Sequence, residues 1–140
     1  MSEESTTRDL VELTRRSIEA ANVGEMDGIM SFWAPDGVWD ASPMGVGTFE
    51  GQAAVRSFLE DWFASYEEWE LHAVEIQDLG NGVTFGLFIQ KGRLGGSSGE
   101  VQLRYAAVGV WEDGKIARIT NYGDIDEGRA AAERLARERG

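Results

Sequence analysis

The second half of this chain carries four extended segments joined by short turn signals, and this pattern constrains the fold more than any other feature. The segments run from Glu70 to Leu79, from Val83 to Arg93, from Glu100 to Glu112 and from Lys115 to Tyr122. Gly80-Asn81-Gly82 and Asp113-Gly114 are typical of tight hairpins, because a type I′ turn needs a positive φ at both central residues. The pattern predicts an antiparallel meander. Gly86 and Gly109 mark places where its strands can bulge or bend.

Three helices are predicted ahead of this sheet. The first carries an apolar stripe from Leu10 to Ala21 and ends at Asn22 to Gly24. A short second helix covers Met26 to Trp33, because Pro35 cannot continue it. The third begins near Gly51 and has a broad aromatic stripe made of Val55, Phe58, Leu59, Trp62, Phe63 and Tyr66. This stripe must be buried, so we expect a curved sheet to face it and to enclose a concavity.

Shorter segments complete the chain. A first strand is predicted after Asp36 and ends at Asp40, and the segment from Ser42 to Gly47 is predicted to be a loop. A brief extended piece follows at Thr48 to Glu50. Asp124 and Glu127 have the spacing of a capping box and predict the start of a C-terminal helix.

Size and composition indicate one α+β domain over residues 1–140, because 42% of the residues are hydrophobic and this length suits one well-buried core. The net charge of -12 argues against nucleic acid and anionic membrane surfaces as partners. The absence of cysteine excludes disulfides and thiolate metal sites. No apolar run approaches the roughly 20 residues of a membrane span, and we expect a cytoplasmic protein.

Two motifs resemble catalytic or metal-binding signals. Gly95-Gly96-Ser97-Ser98-Gly99 matches the G-x-S-x-G pattern of a nucleophile elbow, but strand patterning follows it where that motif needs a helix, so it predicts a loose hairpin tip. His72 is the only histidine, and one histidine does not make the usual zinc site. We therefore expect no metal and no cofactor.

The aromatic residues and one carboxylate are the candidates for a binding site. The aromatics either fill the core or also line a pocket for a flat ligand. Asp40 follows Trp39 at the end of an apolar strand. If Asp40 faces a pocket, burial raises its pKa and makes it a candidate acid or base. Side chains alternate along a strand, so an orientation toward solvent stays open.

The order of the predicted elements, together with several short motifs, resembles the nuclear-transport-factor-2-like superfamily, and more closely its SnoaL-like and ketosteroid-isomerase-like members. The motifs are Asn22-x-Gly24-x-x-Asp27-Gly28, Trp33-Ala34-Pro35-Asp36, Phe49-x-Gly51, Ser98-Gly99, Asp113-Gly114-Lys115-Ile116 and Tyr122-x-Asp124. The resemblance implies a cone-shaped, curved antiparallel sheet wrapped on a long helix, with N-terminal helices and a C-terminal helix. It also implies a homodimer.

The resemblance further indicates which positions carry the family's catalytic groups. Alignment on these motifs puts Ser17 where ketosteroid isomerases keep a tyrosine, Ala41 where they keep the basic aspartate, and Ala106 or a neighbour where they keep a second donor. Asn121 stands where SnoaL-like cyclases keep an aspartate, and an amide does not exchange a proton at neutral pH. The usual acids are thus replaced, and Asp40 lies one residue from the base position.

These observations lead to three functional hypotheses. The first is a domain that binds a small apolar or aromatic molecule in a cone lined by Trp33, Trp39, Trp62, Tyr105 and Asn121. Its enzymatic form is isomerase-, cyclase- or hydratase-like, with Asp40 as acid/base and Tyr105 or Asn121 polarising a carbonyl. The second is a non-catalytic ligand-binding or sensing module. The third is a structural dimerisation domain whose aromatics are all core.

Overall fold

A computed structural model describes residues 9–94 and 99–140, which form four α-helices and one six-stranded sheet. The helices are α1 (Leu10–Val23), α2 (Met26–Met30), α3 (Gln52–Ala64) and α4 (Ile125–Arg139). The strands are β1 (Trp33–Asp40), β2 (Thr48–Glu50), β3 (Tyr66–Gly80), β4 (Val83–Leu94), β5 (Glu100–Glu112) and β6 (Lys115–Tyr122). A short 3₁₀ turn at Ser42–Met44 lies in the predicted loop. The mixed α+β class predicted from the sequence is confirmed.

The sheet has the order β2-β1-β6-β5-β4-β3. Strands β3 to β6 form the predicted antiparallel meander. The first strand adds to the far side of this meander, where β1 pairs with β6 in parallel and with β2 in antiparallel orientation. The sheet is therefore antiparallel except for this one pair.

Both tight turns adopt the backbone that their sequences predict. Asn81 and Gly82 have φ values of 59° and 81°, and Asp113 and Gly114 have values of 54° and 76°. Positive φ at both central residues is the signature of a type I′ hairpin. The longer hairpin predicted at Gly95 to Gly99 lies largely outside the described residues, as does the G-x-S-x-G motif.

Helix ends also follow local signals. Gly24 ends α1 with a φ of 79°, the left-handed conformation that glycine adopts without a steric cost. Asp124 precedes α4, and its side chain accepts a hydrogen bond from the Glu127 amide at 3.1 Å. This is the N-cap half of the predicted capping box.

Two element boundaries differ from the prediction. The second helix ends at Met30, and Trp33 and Pro35 belong to β1. The Phe32 carbonyl accepts a hydrogen bond from the Ile116 amide at 2.7 Å, which draws the chain toward β6. Pro35 falls where the β1–β6 register shifts, so its missing N–H costs no ladder hydrogen bond there. The predicted third helix includes Tyr66, which is instead the first residue of β3.

The sheet has a separate hydrophobic cluster on each side. One cluster joins α1, α2 and α3 to the inner face of the sheet, and its buried members are Ile29, Met30, Trp33, Val55, Leu59, Trp111 and Ile116. The other joins α4 to the outer face, and its buried members are Val83, Phe85, Leu87, Ala106, Val108, Ala132 and Ala136. Gly128 lets α4 approach closely, because a Cβ there would lie 2.9 Å from the Ala106 Cβ. The inner cluster surrounds the candidate site.

Candidate functional site

A cavity of about 120 Å³ lies between the N-terminal helices and the inner face of the sheet. Aromatic residues form a large part of its wall, and they are Trp33, Trp39, Trp62, Phe63, Trp69, Phe85, Phe88, Tyr105 and Trp111. Aliphatic side chains from α1, α2 and α3 complete it, among them Ile18, Ile29 and Leu59. An apolar wall of this kind is typical of sites for small organic molecules.

Stacked and edge-on rings hold part of the aromatic wall in place. Trp33 and Trp39 on β1 stack with ring centroids 5.6 Å apart and an angle of 14° between their planes. Phe58 on α3 meets Trp39 edge-on at 5.6 Å and Trp62 edge-on at 5.2 Å. These contacts join β1 to α3, so the rings on the two sides of the cavity are positioned together.

The floor of the cavity is made of very small residues. Gly86, Ala107 and Gly109 lie on the inner face of β4 and β5, and Gly86 pairs directly with Ala107. A Cβ on Gly86 would lie 2.5 Å from the Phe88 ring, so this ring folds back over the glycine. The space over Gly109 is also taken, because a Cβ there would lie 2.6 Å from the Thr84 hydroxyl, so the glycines allow neighbouring side chains to pack closely on the floor.

The polar groups of the wall are uncharged. Asn121 is 1% exposed, and its Oδ1 has no hydrogen-bond partner among the described residues. Burial raises the pKa of the Tyr105 hydroxyl above its usual value, so this group stays protonated at neutral pH. None of the described residues that line the cavity is Asp, Glu, Lys, Arg or His. The wall therefore offers hydrogen bonds but no ionised group.

Gln90 is a polar wall residue that the sequence interpretation missed. It is 2% exposed, and three donors surround its carboxamide: the Trp62 and Trp69 indoles, each 3.3 Å away, and the Tyr66 hydroxyl, 3.1 Å away. A sequence signal for it existed. Thr84, Gly86, Phe88 and Gln90 alternate along β4, which predicts that all four share the inner face.

All five predicted ligand-binding residues, Trp33, Trp39, Trp62, Tyr105 and Asn121, line the cavity. Their contact with a ligand stays a prediction. Ser17 also lines it, and its hydroxyl donates to the Thr14 carbonyl at 2.7 Å. Ala41 is buried outside the cavity wall. Ala106 packs under α4 on the outer face, and its neighbours Tyr105 and Ala107 take the inward positions.

Asp40, whose orientation the sequence left open, does not face the cavity. Asp40 is not among the residues that line the cavity, and its carboxylate forms an ion pair with Arg118 of β6 at 2.7 Å. The same carboxylate accepts hydrogen bonds from the Ser42 amide and hydroxyl and from the Thr48 hydroxyl. Partial burial raises the pKa of Asp40, but these hydrogen bonds together outweigh it and the net pKa is lowered. This environment favours a structural carboxylate that is ionised at neutral pH.

Replacing Asp40 with asparagine is expected to lower the free energy of unfolding by about 1–3 kcal/mol at pH 7, the usual worth of hydrogen bonds to a charged group. A carboxylate with a lowered pKa stabilises the fold above its unfolded pKa, and this contribution is lost as the pH falls through the folded value. Urea unfolding from pH 7 to pH 3 should therefore show the difference shrinking below about pH 4. The affinity for the test ligand toluene should not change. A weakened affinity would show that Asp40 takes part in ligand binding.

The only histidine of the chain also lies away from the cavity. His72 is on the exposed part of β3, where its Nε2 lies 3.2 Å from Glu70. Within residues 9–94 and 99–140, no group of three or more His, Cys, Asp or Glu side chains is arranged to hold a metal ion. No helix in this part of the chain is long and apolar enough to cross a membrane.

Comparison with known proteins identifies the family. The family model described as SnoaL-like domain matches residues 14–119, which run from α1 into β6. The chain belongs to the SnoaL-like domain family. This confirms the resemblance inferred from the motifs. A search of the curated proteins found no match.

Solved structures of the same fold confirm the nuclear-transport-factor-2-like architecture. TerC, co-crystallised with polyporic acid, has a TM-score of 0.71 at 19% identity, over 88% of this chain and 97% of TerC. A hypothetical protein of ketosteroid isomerase-like fold from Catenulispora acidiphila, in complex with trimethylamine, has a TM-score of 0.72 at 13% identity, over 86% and 92%. An LEH-like epoxide hydrolase of M. tuberculosis has a TM-score of 0.69 at 15% identity, over 89% of each chain. At these identities the likeness shows the fold alone.

Proposed function

We propose that this SnoaL-like domain binds a small, uncharged, flat apolar molecule in the inner cavity. The observation that supports this most directly is the character of the wall, where aromatic rings are interspersed with neutral hydrogen-bonding groups and no described lining residue is charged. A charged ligand would lose its hydration without gaining a counter-ion, which is strongly unfavourable. An uncharged aromatic ligand would gain apolar contact with the ring faces instead.

The size of the cavity sets the size of the ligand. At about 120 Å³ it is close to the roughly 150 Å³ apolar cavity that binds benzene in another protein. A molecule built on one aromatic ring therefore fits with little movement of the wall. Two structural neighbours hold small organic molecules, polyporic acid in TerC and trimethylamine in the C. acidiphila protein, which supports a ligand-binding role for this fold.

Titration with toluene tests the proposal, with benzoate as the charged control of similar size. We expect toluene to saturate one site per chain, followed by calorimetry and by the fluorescence of the tryptophans, and benzoate to bind at least about 100-fold more weakly. Mass spectrometry should recover the ligand unchanged. Failure of toluene to bind, or equal binding of benzoate, would contradict the proposal.

A second candidate function is carbonyl chemistry of the isomerase, cyclase or hydratase type. The placement of Tyr105 and Asn121 in the same cavity favours it, because a neutral hydroxyl and an amide can both donate to a substrate oxygen. The acid/base predicted for this chemistry is Asp40, whose carboxylate is engaged by Arg118 and Ser42. A carbonyl ligand that is converted to a new species, more slowly after Tyr105→Phe, would select this candidate.

The predicted homodimer stays a prediction. Helix α4 covers the outer face of β4 and β5, so a dimer that pairs sheets would use the rest of that face or α4 itself.

The third hypothesis, a purely structural dimerisation domain, expects an interior filled by aromatic side chains. The cavity on the inner face of the sheet favours the binding function over that hypothesis.

A further inference from the structure

One buried hydrogen-bond acceptor in the cavity wall lacks a donor. The Oδ1 atom of Asn121 has no hydrogen-bond partner among the described residues, although Asn121 is only 1% exposed. No other side-chain oxygen of the described lining residues is both buried and unpartnered. An amide oxygen that is shielded from water and left unpaired is costly to the fold. A ligand that donates a hydrogen bond to this oxygen removes that cost.

The sheet directs the Asn121 side chain toward the cavity. Ile119 and Asn121 of β6 line the cavity, whereas Thr120 between them lines the groove on the outer side of the sheet. Successive side chains of a strand point to opposite faces, so the Asn121 side chain lies on the inner face. Because this side chain is one methylene and a carboxamide, the group that it brings to the wall is polar.

No described donor in the wall reaches this oxygen. The Trp111 indole donates instead to the Thr84 hydroxyl at 3.1 Å. Two further indoles, on α3 and β3, face the Gln90 carboxamide at 3.3 Å. The register partner of Asn121 on β5 is Ala107, whose side chain has no polar atom. The Asn121 oxygen is therefore left to a donor that comes from outside the chain.

We infer that Asn121 determines ligand specificity in this cavity by accepting a hydrogen bond, so that the preferred ligands carry an uncharged N–H or O–H donor on their ring. This inference rests on the proposed binding function and adds a chemical class to it. A ring with a donor pairs the amide oxygen, whereas a ring without one leaves the oxygen unpaired. In this role Asn121 accepts, whereas polarising a substrate carbonyl would require it to donate.

The test compares pyrrole, whose ring N–H is a donor, with furan, a ring of similar shape that has no donor. NMR titration of the wild-type protein should show that pyrrole binds about fivefold more tightly, within the usual range for one neutral hydrogen bond. Asn121→Leu keeps the shape of the side chain and removes the amide, so this preference should disappear. Thr120→Val is the matched control, because it removes a polar group from the outer face of the same strand and should keep the preference.

A measurement on the wild-type protein keeps the inference testable if Asn121→Leu does not fold. In the carbon NMR spectrum, pyrrole should shift the side-chain carbonyl carbon of Asn121 downfield, because a carbonyl group that accepts a hydrogen bond is deshielded. Furan should shift this carbon far less. Equal shifts with the two ligands would contradict the inference.

The outcomes separate the two proposals. If toluene, pyrrole and furan all fail to bind the wild-type protein, the proposed function and this inference are both overturned. If toluene binds but pyrrole is not preferred over furan, the inference alone is overturned. The same holds if the preference survives in Asn121→Leu or is also lost in Thr120→Val. Loss of the preference in Asn121→Leu but not in Thr120→Val supports the inference.

Discussion

Replacing Ala107 with leucine is expected to weaken the binding of a ring-sized ligand by at least about 100-fold, since the added side chain occupies the ligand's volume. Ala107 lies on the cavity floor between Gly86 of β4 and Asn121 of β6. Its side chain points toward the inner aromatic wall. The cavity holds only about 120 Å³, so a leucine here removes a large part of it.

The same substitution should cost little stability, which distinguishes it from a general core disruption. Adding methylenes to a filled core costs about 1–3 kcal/mol, but here the added atoms enter an existing cavity. We expect the free energy of unfolding to change by less than about 1.5 kcal/mol in either direction. Ala117→Leu is the matched control, because Ala117 lines the groove on the outer side of β6 beside α4.

Calorimetric titration with toluene measures the effect of both leucine substitutions. Ala117→Leu should retain the wild-type affinity, and Ala107→Leu should show no saturable heat. Unchanged affinity in Ala107→Leu would mean that the ligand binds elsewhere, for example in the groove between α4 and β6.

The second large effect is expected on stability. Replacing Phe85 with alanine should lower the free energy of unfolding by about 3–5 kcal/mol, the range for large-to-small changes of a buried phenylalanine. Phe85 is 0% exposed and belongs to the cluster under α4. The Arg129 guanidinium carbon also lies 4.5 Å from the centroid of the Phe85 ring, and alanine cannot form this cation–π interaction.

Comparing the urea unfolding of Phe85→Ala with that of Phe85→Leu separates the contribution of apolar packing from that of the aromatic ring. The leucine variant keeps most of the apolar volume and should lose less than about 1.5 kcal/mol. A loss below about 1 kcal/mol in Phe85→Ala would contradict the packing of α4 on the sheet, because such a value is typical of a surface position.

Local signals explain why most of the fold could be predicted. The turns at Asn81-Gly82 and Asp113-Gly114 need positive φ, and that need is visible in the residue types. The N-cap at Asp124 follows from the spacing of two acidic side chains. The boundary between α2 and β1 escaped prediction, because it depends on a hydrogen bond between Phe32 and Ile116, which lies at the other end of the fold in sequence.

The sequence predicted which aromatic and amide residues line the candidate site, but it did not predict which strand residues face the cavity. The five predicted binding residues line the cavity. Large aromatic side chains on apolar strands or on the apolar face of a helix are usually buried, and this made their location predictable. The face on which a strand residue lies depends on register, and one residue of difference reverses it. Asp40 and Ala106 therefore lie on the outer face, while Tyr105 and Ala107 point inward.

The sequence by itself determined an α+β domain with an antiparallel meander, its tight turns, its helix caps and an aromatic interior, since each of these follows from neighbouring residues. Only the tertiary structure decided that Arg118 engages the carboxylate of Asp40 and that Trp62, Tyr66 and Trp69 hold the amide of Gln90. These contacts join residues from different elements. Their geometry depends on sheet register and helix packing, which no local pattern specifies.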